Sequence, residues 1–137
     1  MSTRSRIGLP LADGSILSVY CHWDGYPSYT GVQLKNRFKV RDQVAELIDG
    51  GDLSCVWTDS GFEIDEKLEE ERPLYYSERG EDCPPILSKD FDTFLHDTKE
   101  SWGEYAYLFT DIGWVCYDVH EGGIEVPIKP REEIKTA

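Results

Sequence analysis

Two β-hairpin signals constrain the fold of this chain more than any other feature of its sequence. Segments 6–11 and 15–21 are rich in apolar and β-branched residues, and an Asp-Gly pair at 13–14 separates them, which is a strong signal for a hairpin turn. Segments 105–110 and 114–120 are rich in aromatic and β-branched residues and flank an Asp-Ile-Gly turn. The sequence therefore predicts two antiparallel hairpins, one near each end of the chain.

Two other stretches have the period of an amphipathic helix. The first predicts a pair of helices over 31–49, and Gly50-Gly51 follows as a stop signal. The second is expected to begin at Ser88, a residue type that caps helices, and to end at Gly103. Its apolar face consists of Phe91, Phe94, Leu95, Thr98 and Trp102.

The order of these elements indicates an α+β fold. We expect an antiparallel sheet built from the N- and C-terminal hairpins, with helices packed on one face. Further short strands are expected at 74–76 and 124–128, whereas 53–57 fits either a strand or an irregular apolar segment. The 137 residues fit a single domain, 1–137, with a frayed tail over 129–137.

The charge of the chain is strongly asymmetric. Residues 1–41 carry six basic and two acidic side chains, a balance of +4, whereas residues 42–137 carry eight basic and 25 acidic side chains, a balance of −17. A field of this sign repels nucleic acid and anionic membranes and speeds the encounter with basic proteins. We therefore expect no direct nucleic-acid partner and no membrane partner.

Six of the nine residues over 63–71 are acidic. One interpretation is a solvated turn of helix or a mobile loop over 63–72, because runs of like charge usually face water. The other is an acidic patch that contacts a partner, with Glu69, Glu70 and Glu71 as the contact residues. The sequence leaves both interpretations open.

The cysteines indicate free thiols. Cys21, Cys55, Cys83 and Cys116 are widely spaced, form no Cys-x-x-Cys pair and have no histidine at the spacing of a zinc ligand. No metal and no cofactor are expected. The chain also has no signal peptide and no run of roughly 18 apolar residues, which predicts a cytosolic protein.

The densest group of chemically versatile side chains lies at 20–27, Tyr-Cys-His-Trp-Asp-Gly-Tyr-Pro, which we call the octet. Its glycine and proline predict a turn after the second strand, and this places Trp23, Asp24 and Tyr26 on a loop. The first hairpin is expected to bring Arg4 and Arg6 near this loop. Stacking aromatics beside arginines suit a nucleotide or another small ligand, although a structural corner fits the same residues.

Catalysis is the least favoured interpretation of the octet. Neighbouring residues on a strand point to opposite faces, so Cys21 and His22 are badly placed to share a proton. The chain also contains no glycine-rich phosphate loop, no Gly-x-Ser-x-Gly and no His-Glu-x-x-His. We expect no catalytic residue and no enzymatic activity.

Several segments resemble a family of small uncharacterised bacteriophage and prophage proteins. They are Ser-Thr-Arg-Ser-Arg-Ile at 2–7, Asp-Gly at 13–14, the octet, Leu-Ile at 47–48, Gly-Asp-Leu-Ser at 51–54, 76–81, and Tyr-Ala-Tyr-Leu-Phe at 105–109. The resemblance covers roughly two thirds of the chain. It implies a viral origin and expression in the cytoplasm of a bacterial host, and it carries over no activity and no catalytic residue.

Small acidic phage proteins of this kind often bind and redirect host machinery, including defence enzymes. The first functional hypothesis is therefore an acidic interaction protein that binds a basic surface of a host protein and inhibits or redirects it. The alternative is a sink for a nucleotide or another small molecule at the octet.

Overall fold

A computed structural model describes residues 3–57 and 72–129 of the chain. Its strands are β1 (Ser5–Pro10), β2 (Ile16–Cys21), β3 (Leu53–Cys55), β4 (Leu74–Tyr75), β5 (Ile86–Ser88), β6 (Tyr105–Thr110), β7 (Gly113–Asp118) and β8 (Ile124–Val126). Its α-helices are α1 (Val32–Arg37), α2 (Arg41–Asp49) and α3 (Phe91–Glu100). A π-helical turn (Pro27–Gly31) precedes α1, and 3-10 turns lie at Tyr76–Arg79 and Val119–Glu121.

Both predicted hairpins are present, and they lie side by side in one sheet. β1 and β2 pair antiparallel, as do β6 and β7. A parallel pairing of β1 with β6 joins the two hairpins, which gives the strand order β4-β3-β2-β1-β6-β7-β8. β5 pairs antiparallel with the first three residues of β2. The mostly antiparallel sheet with its helices confirms the α+β class.

The helices cover both faces of the sheet, so the prediction of helices on one face was wrong. Ile7 and Val19 point to the side of α1 and α2 and share a core with Leu34, Val44 and Leu47. On the opposite side of the sheet, Ile16, Ala106 and Leu108 pack around Phe94 of α3. Both faces of the central strands carry apolar residues, and each face therefore needs its own helical cover.

The third helix begins and ends inside its predicted bounds. Ser88 belongs to β5 and donates its hydroxyl to Asp97 Oδ2 at 2.6 Å, whereas Asp90 is the N-cap and its Oδ1 accepts from Thr93 N at 2.8 Å. Trp102 lies beyond the helix and is 76% exposed, so it does not contribute to the predicted apolar face.

The remaining strand predictions were close. The strand after α2 ends at Cys55, and the last strand ends at Val126, one residue before Pro127. Glu69, Glu70 and Glu71, and the tail from residue 130 onward, lie outside the described residues. Among the helices in the described ranges, none is long and apolar enough to cross a membrane.

Candidate functional site

The octet leaves β2 after Cys21 and turns back toward the start of β1. Gly25 N donates to Thr3 O at 2.7 Å, and the buried hydroxyl of Tyr107 in β6 donates to Gly25 O at 2.6 Å. A Cβ on Gly25 would lie 2.8 Å from both Ser5 Oγ and Thr3 O, so only glycine fits this approach. The loop is thus fixed to the sheet at its middle residue.

The polar and aromatic side chains of the octet contact one another. The Tyr20 hydroxyl and His22 Nδ1 share a hydrogen bond at 2.7 Å. The rings of His22 and Trp23 are packed edge to face, with their centroids 4.7 Å apart. Tyr26 donates its hydroxyl to Asp24 Oδ1 at 3.3 Å. Burial raises the pKa of Asp24, and this hydrogen bond partly opposes the rise. Trp23 remains 37% exposed.

The thiol and the imidazole of the octet lie on opposite sides of the sheet, as strand alternation predicts. Cys21 is fully buried in the core beneath α1 and α2, whereas His22 bonds to Tyr20 on the side of α3. Burial raises the pKa of Cys21 to about 12. A thiol with this pKa supplies almost no thiolate near neutral pH.

Arg6 lies opposite Tyr20 of the octet in the pairing of β1 with β2, but its guanidinium is buried and has a structural role. Its side chain is 4% exposed; Nε donates to Ser18 Oγ at 2.9 Å, and a terminal nitrogen donates to Ser101 Oγ at 3.0 Å. Burial lowers the pKa of the guanidinium, and the charges of Asp52 and Asp97 oppose this. The expectation that Arg6 meets a phosphate at the octet is therefore not supported, because its buried guanidinium is held by Ser18 and Ser101.

Trp102 follows α3 in a backbone conformation that favours glycine. Its φ is +66°, and two bonds close the helix around it: Trp102 N donates to Lys99 O at 3.0 Å, and Gly103 N donates to Thr98 O at 2.8 Å. This is the Schellman arrangement, in which glycine usually occupies the left-handed position. Here a large aromatic residue occupies it, two residues after the exposed Glu100.

Four segments meet at the end of the sheet where β1 and β6 begin: residues 3–4, the octet, the turn after α3 and the turn after β7. Thr3 O accepts from Gly25 of the octet, and Arg4 O accepts from Glu104 N at 2.8 Å. Glu104 O accepts in turn from Val119 N at 3.1 Å. The short segment before β1 therefore lies between the octet loop and the turn that follows α3.

We call this surface the end face. The name covers residues of the segment before β1, of the octet loop, of the end of α3 and of the turns at 101–104 and 118–121: Arg4, Trp23, Asp24, Tyr26, Glu100, Trp102, Glu104, Asp118, His120 and Glu121. Five of these residues are carboxylates and one is an arginine, so the surface is acidic. Asp24, with φ +53°, and Trp102 are the two residues other than glycine with positive φ in the described ranges, and they lie on either side of segment 3–4.

The tertiary structure brings together only part of the predicted site. Trp23, Asp24, Tyr26 and Arg4 share the end face, and the Arg4 charge acts on Tyr20, where it partly offsets the rise in pKa that burial causes. Trp102 and Glu104 were missed, because the helical period placed Trp102 on the buried face. The Trp-Gly pair at 102–103 is the sequence signal that could have identified Trp102 as a residue beyond the helix, since a glycine at this position marks where a helix stops.

Within 3–57 and 72–129, no three side chains of His, Cys, Asp or Glu are grouped closely enough to hold a metal ion. Comparisons of the chain with protein-family models, with curated proteins and with solved structures found no match.

Proposed function

We propose that this chain is an acidic interaction protein of bacteriophage origin that binds a basic surface of a host protein and inhibits or redirects it. The end face is the contact surface. The observation that carries the proposal is Trp102, which is 76% exposed while its backbone has φ +66°.

The conformation of Trp102 supports a binding role because folding gains little from it. A left-handed conformation costs a residue other than glycine about 1 kcal/mol or more, and an indole that is mostly in water recovers little of this by burial. Backbone strain of this kind clusters at ligand and partner sites. Tryptophan is also among the residues that most often dominate the energy of protein interfaces.

The charges around Trp102 support a basic partner. Glu100 and Glu104 flank it in sequence, and Asp118 and Glu121 lie on the neighbouring turn. Lysine and arginine side chains can pair with these carboxylates and stack on an exposed indole. The octet contributes a second exposed indole, Trp23.

The experiment is affinity capture from a bacterial lysate with the wild-type chain, Trp102→Gly and Leu87→Ser, followed by mass spectrometry. Leu87 is 61% exposed in β5, away from the end face, and serves as the matched control. The proposal expects a basic protein that wild type and Leu87→Ser retain and Trp102→Gly loses. With the purified partner, Trp102→Gly should weaken binding by about 30-fold or more.

The salt dependence provides a second criterion. Binding between an acidic and a basic surface should weaken when the salt rises toward and above physiological ionic strength, because screening shortens the range of the field. The proposal is wrong if all three chains recover the same proteins. It is also wrong if no protein is enriched on the wild-type chain, whether the capture is done below or at physiological ionic strength.

The nucleotide or small-molecule sink is the weaker proposal. Arg6, one of its two arginines, is held by Ser18 and Ser101, and Asp24 accepts a hydrogen bond from Tyr26. A thermal-shift panel of nucleotides tests it directly: a shift that Trp23→Ala abolishes and Trp102→Gly retains would favour the sink over the interaction protein.

A further inference from the structure

A second surface lies at the opposite end of the sheet, at the tips of the two hairpins. A groove of about 1050 Å³ runs between the first hairpin tip, the connection from α1 to α2 and the second hairpin tip. Val40 and Ile112 line it and are 55% and 92% exposed. None of the residues of the end face takes part in this groove.

Both apolar residues occupy positions where folding favours polar ones. Val40 is the N-cap of α2, where a side chain with an oxygen acceptor is preferred; Gln43 Oε1 instead accepts from Val40 N at 3.2 Å and from Lys39 N at 2.8 Å. Ile112 lies in the two-residue loop between β6 and β7, where Asn, Asp and Gly are typical. Residues that break local rules without improving packing often serve function.

The charges that line the groove differ in sign from those of the chain as a whole. Lys39 and Arg41 stand on either side of Val40, and Asp111 is the acidic residue of the lining. Arg41 donates to Pro10 O at 2.7 Å, which ties the helix connection to the first hairpin. Residues 25–41 contain four basic side chains and no acidic one. The lining of the groove is therefore apolar with a net charge of +1, on a chain of net charge −13, and the exposed Asp13 and Asp42 lie next to it in sequence.

We propose that the groove binds an extended acidic segment of a partner protein, one that carries aliphatic side chains between its carboxylates. The aliphatic side chains pack on Val40 and Ile112, and the carboxylates pair with Lys39 and Arg41. Aliphatic groups favour a peptide over nucleic acid, whose bases stack on aromatic side chains. The negative charge of the remaining surface opposes approach, so the apolar contacts supply much of the binding.

Fluorescence anisotropy tests the proposal with a labelled peptide in which glutamate and leucine alternate. The comparison probes are a lysine-leucine peptide, a glutamate-serine peptide and oligodeoxythymidine. Only the glutamate-leucine peptide should bind. Ile112→Ser and Val40→Ser should each weaken it by about tenfold, and Lys39→Glu by about threefold.

Two variants keep the outcome interpretable. Val40→Ser supplies a better N-cap, so its urea midpoint should rise while its peptide binding falls, and unfolding cannot explain the loss. Ile124→Ser, which changes a 56% exposed residue of β8, should bind like wild type. Equal binding of the lysine-leucine peptide or of oligodeoxythymidine overturns the proposal, as does binding that none of the groove variants weakens. Light scattering that shows a dimer which Ile112→Ser dissociates would also overturn it in favour of a second copy of the chain.

Discussion

The guanidinium of Arg6 in β1 donates to Ser101 Oγ, one residue beyond α3, at 3.0 Å. Ser101 Oγ donates in turn to Asp97 O at 2.8 Å. The same guanidinium holds Ser18 of β2 through its hydroxyl and its carbonyl. One buried cation thus joins two strands of the sheet to the end of α3, and Trp102 follows directly from this anchored point.

Arg6→Met should lower the free energy of unfolding by about 2–4 kcal/mol, because it removes hydrogen bonds made by a buried charge and leaves their acceptors unpaired. Arg41→Met is the control. Arg41 is exposed and makes its hydrogen bond to Pro10 O at the surface, so this variant should lose less than about 1 kcal/mol of unfolding free energy. Urea unfolding measures both. Equal losses in the two variants would contradict the anchoring role of Arg6.

Trp102→Gly should raise the free energy of unfolding by about 0.5–1 kcal/mol, since glycine adopts a positive φ without steric strain. Gly103→Ala should lower the free energy of unfolding, because the alanine Cβ would lie 2.7 Å from Thr98 Cγ2 and 2.8 Å from Thr98 O. Thermal and urea unfolding measure the pair. A Trp102→Gly chain that is less stable than wild type would show that the indole packs for stability, and it would remove the main support for the end face as an interface.

Glu78→Gln should lower stability at neutral pH and have little effect in acid. Arg72 donates to both carboxylate oxygens of Glu78 at 2.7 Å, and Tyr75 N donates at 3.0 Å. The hydrogen bonds that Glu78 accepts from Arg72 lower the pKa of Glu78 below the ordinary 4.5. The stabilisation is therefore present above the ordinary pKa and is lost as the pH falls through the lowered one.

The ion pair of Arg72 with Glu78 is partly exposed. Screening by solvent therefore limits the loss of unfolding free energy expected for Glu78→Gln at pH 7 to about 0.5–1 kcal/mol. Urea midpoints of wild type and Glu78→Gln should converge toward about pH 3. Glu125→Gln, at an exposed position of β8, provides the comparison. A difference between wild type and Glu78→Gln that persists unchanged in acid would contradict the ionic origin of the effect.

The four thiols should differ in reactivity. Cys21, Cys55 and Cys116 are buried, whereas Cys83 is partly exposed. Burial raises the pKa of Cys116 to about 12. The pKa of Cys83 is raised as well, mainly by desolvation and also by Asp52, Glu81 and Asp82. A thiol reagent near pH 8 should therefore label Cys83 alone in the native chain, and more slowly than the same thiol in urea.

Neutralising two of those charges tests the cause. Glu81→Gln combined with Asp82→Asn should speed native labelling of Cys83, because removing negative charge favours the thiolate. Mass spectrometry of the labelled peptides identifies the site. Early modification of Cys21 or Cys116 would mean that the core opens in the native state.

The local patterns predicted the elements well. Alternation and an Asp-Gly turn located β1 and β2, and the helical period located α2 and α3 with ends shifted by a few residues. The errors lie where two rules compete. Ser88 is a good cap by type, yet Asp90 caps the helix, because β5 uses Ser88 in its pairing with β2.

The candidate site was predicted less completely. The octet was found because its residues are adjacent in sequence, and its loop was expected from Gly25 and Pro27. Trp102 could not be assigned from the period alone, because the same spacing fits a buried helix face and a residue just past the helix end. Only the position of the last helical turn distinguishes the two.

The sequence by itself determined the hairpins, the helices, the α+β class and the acidic character, because these depend on periodicity, turn residues and composition within short windows. Only the tertiary structure decided that β1 pairs with β6 in parallel, that α3 covers the opposite face and that Arg6 is buried beneath it. The same pairing brings the octet and Trp102 to one end of the sheet, although nearly 80 residues separate them in the chain. The physical reason is that pairing between distant strands depends on which faces can be buried together, and no local window contains both partners.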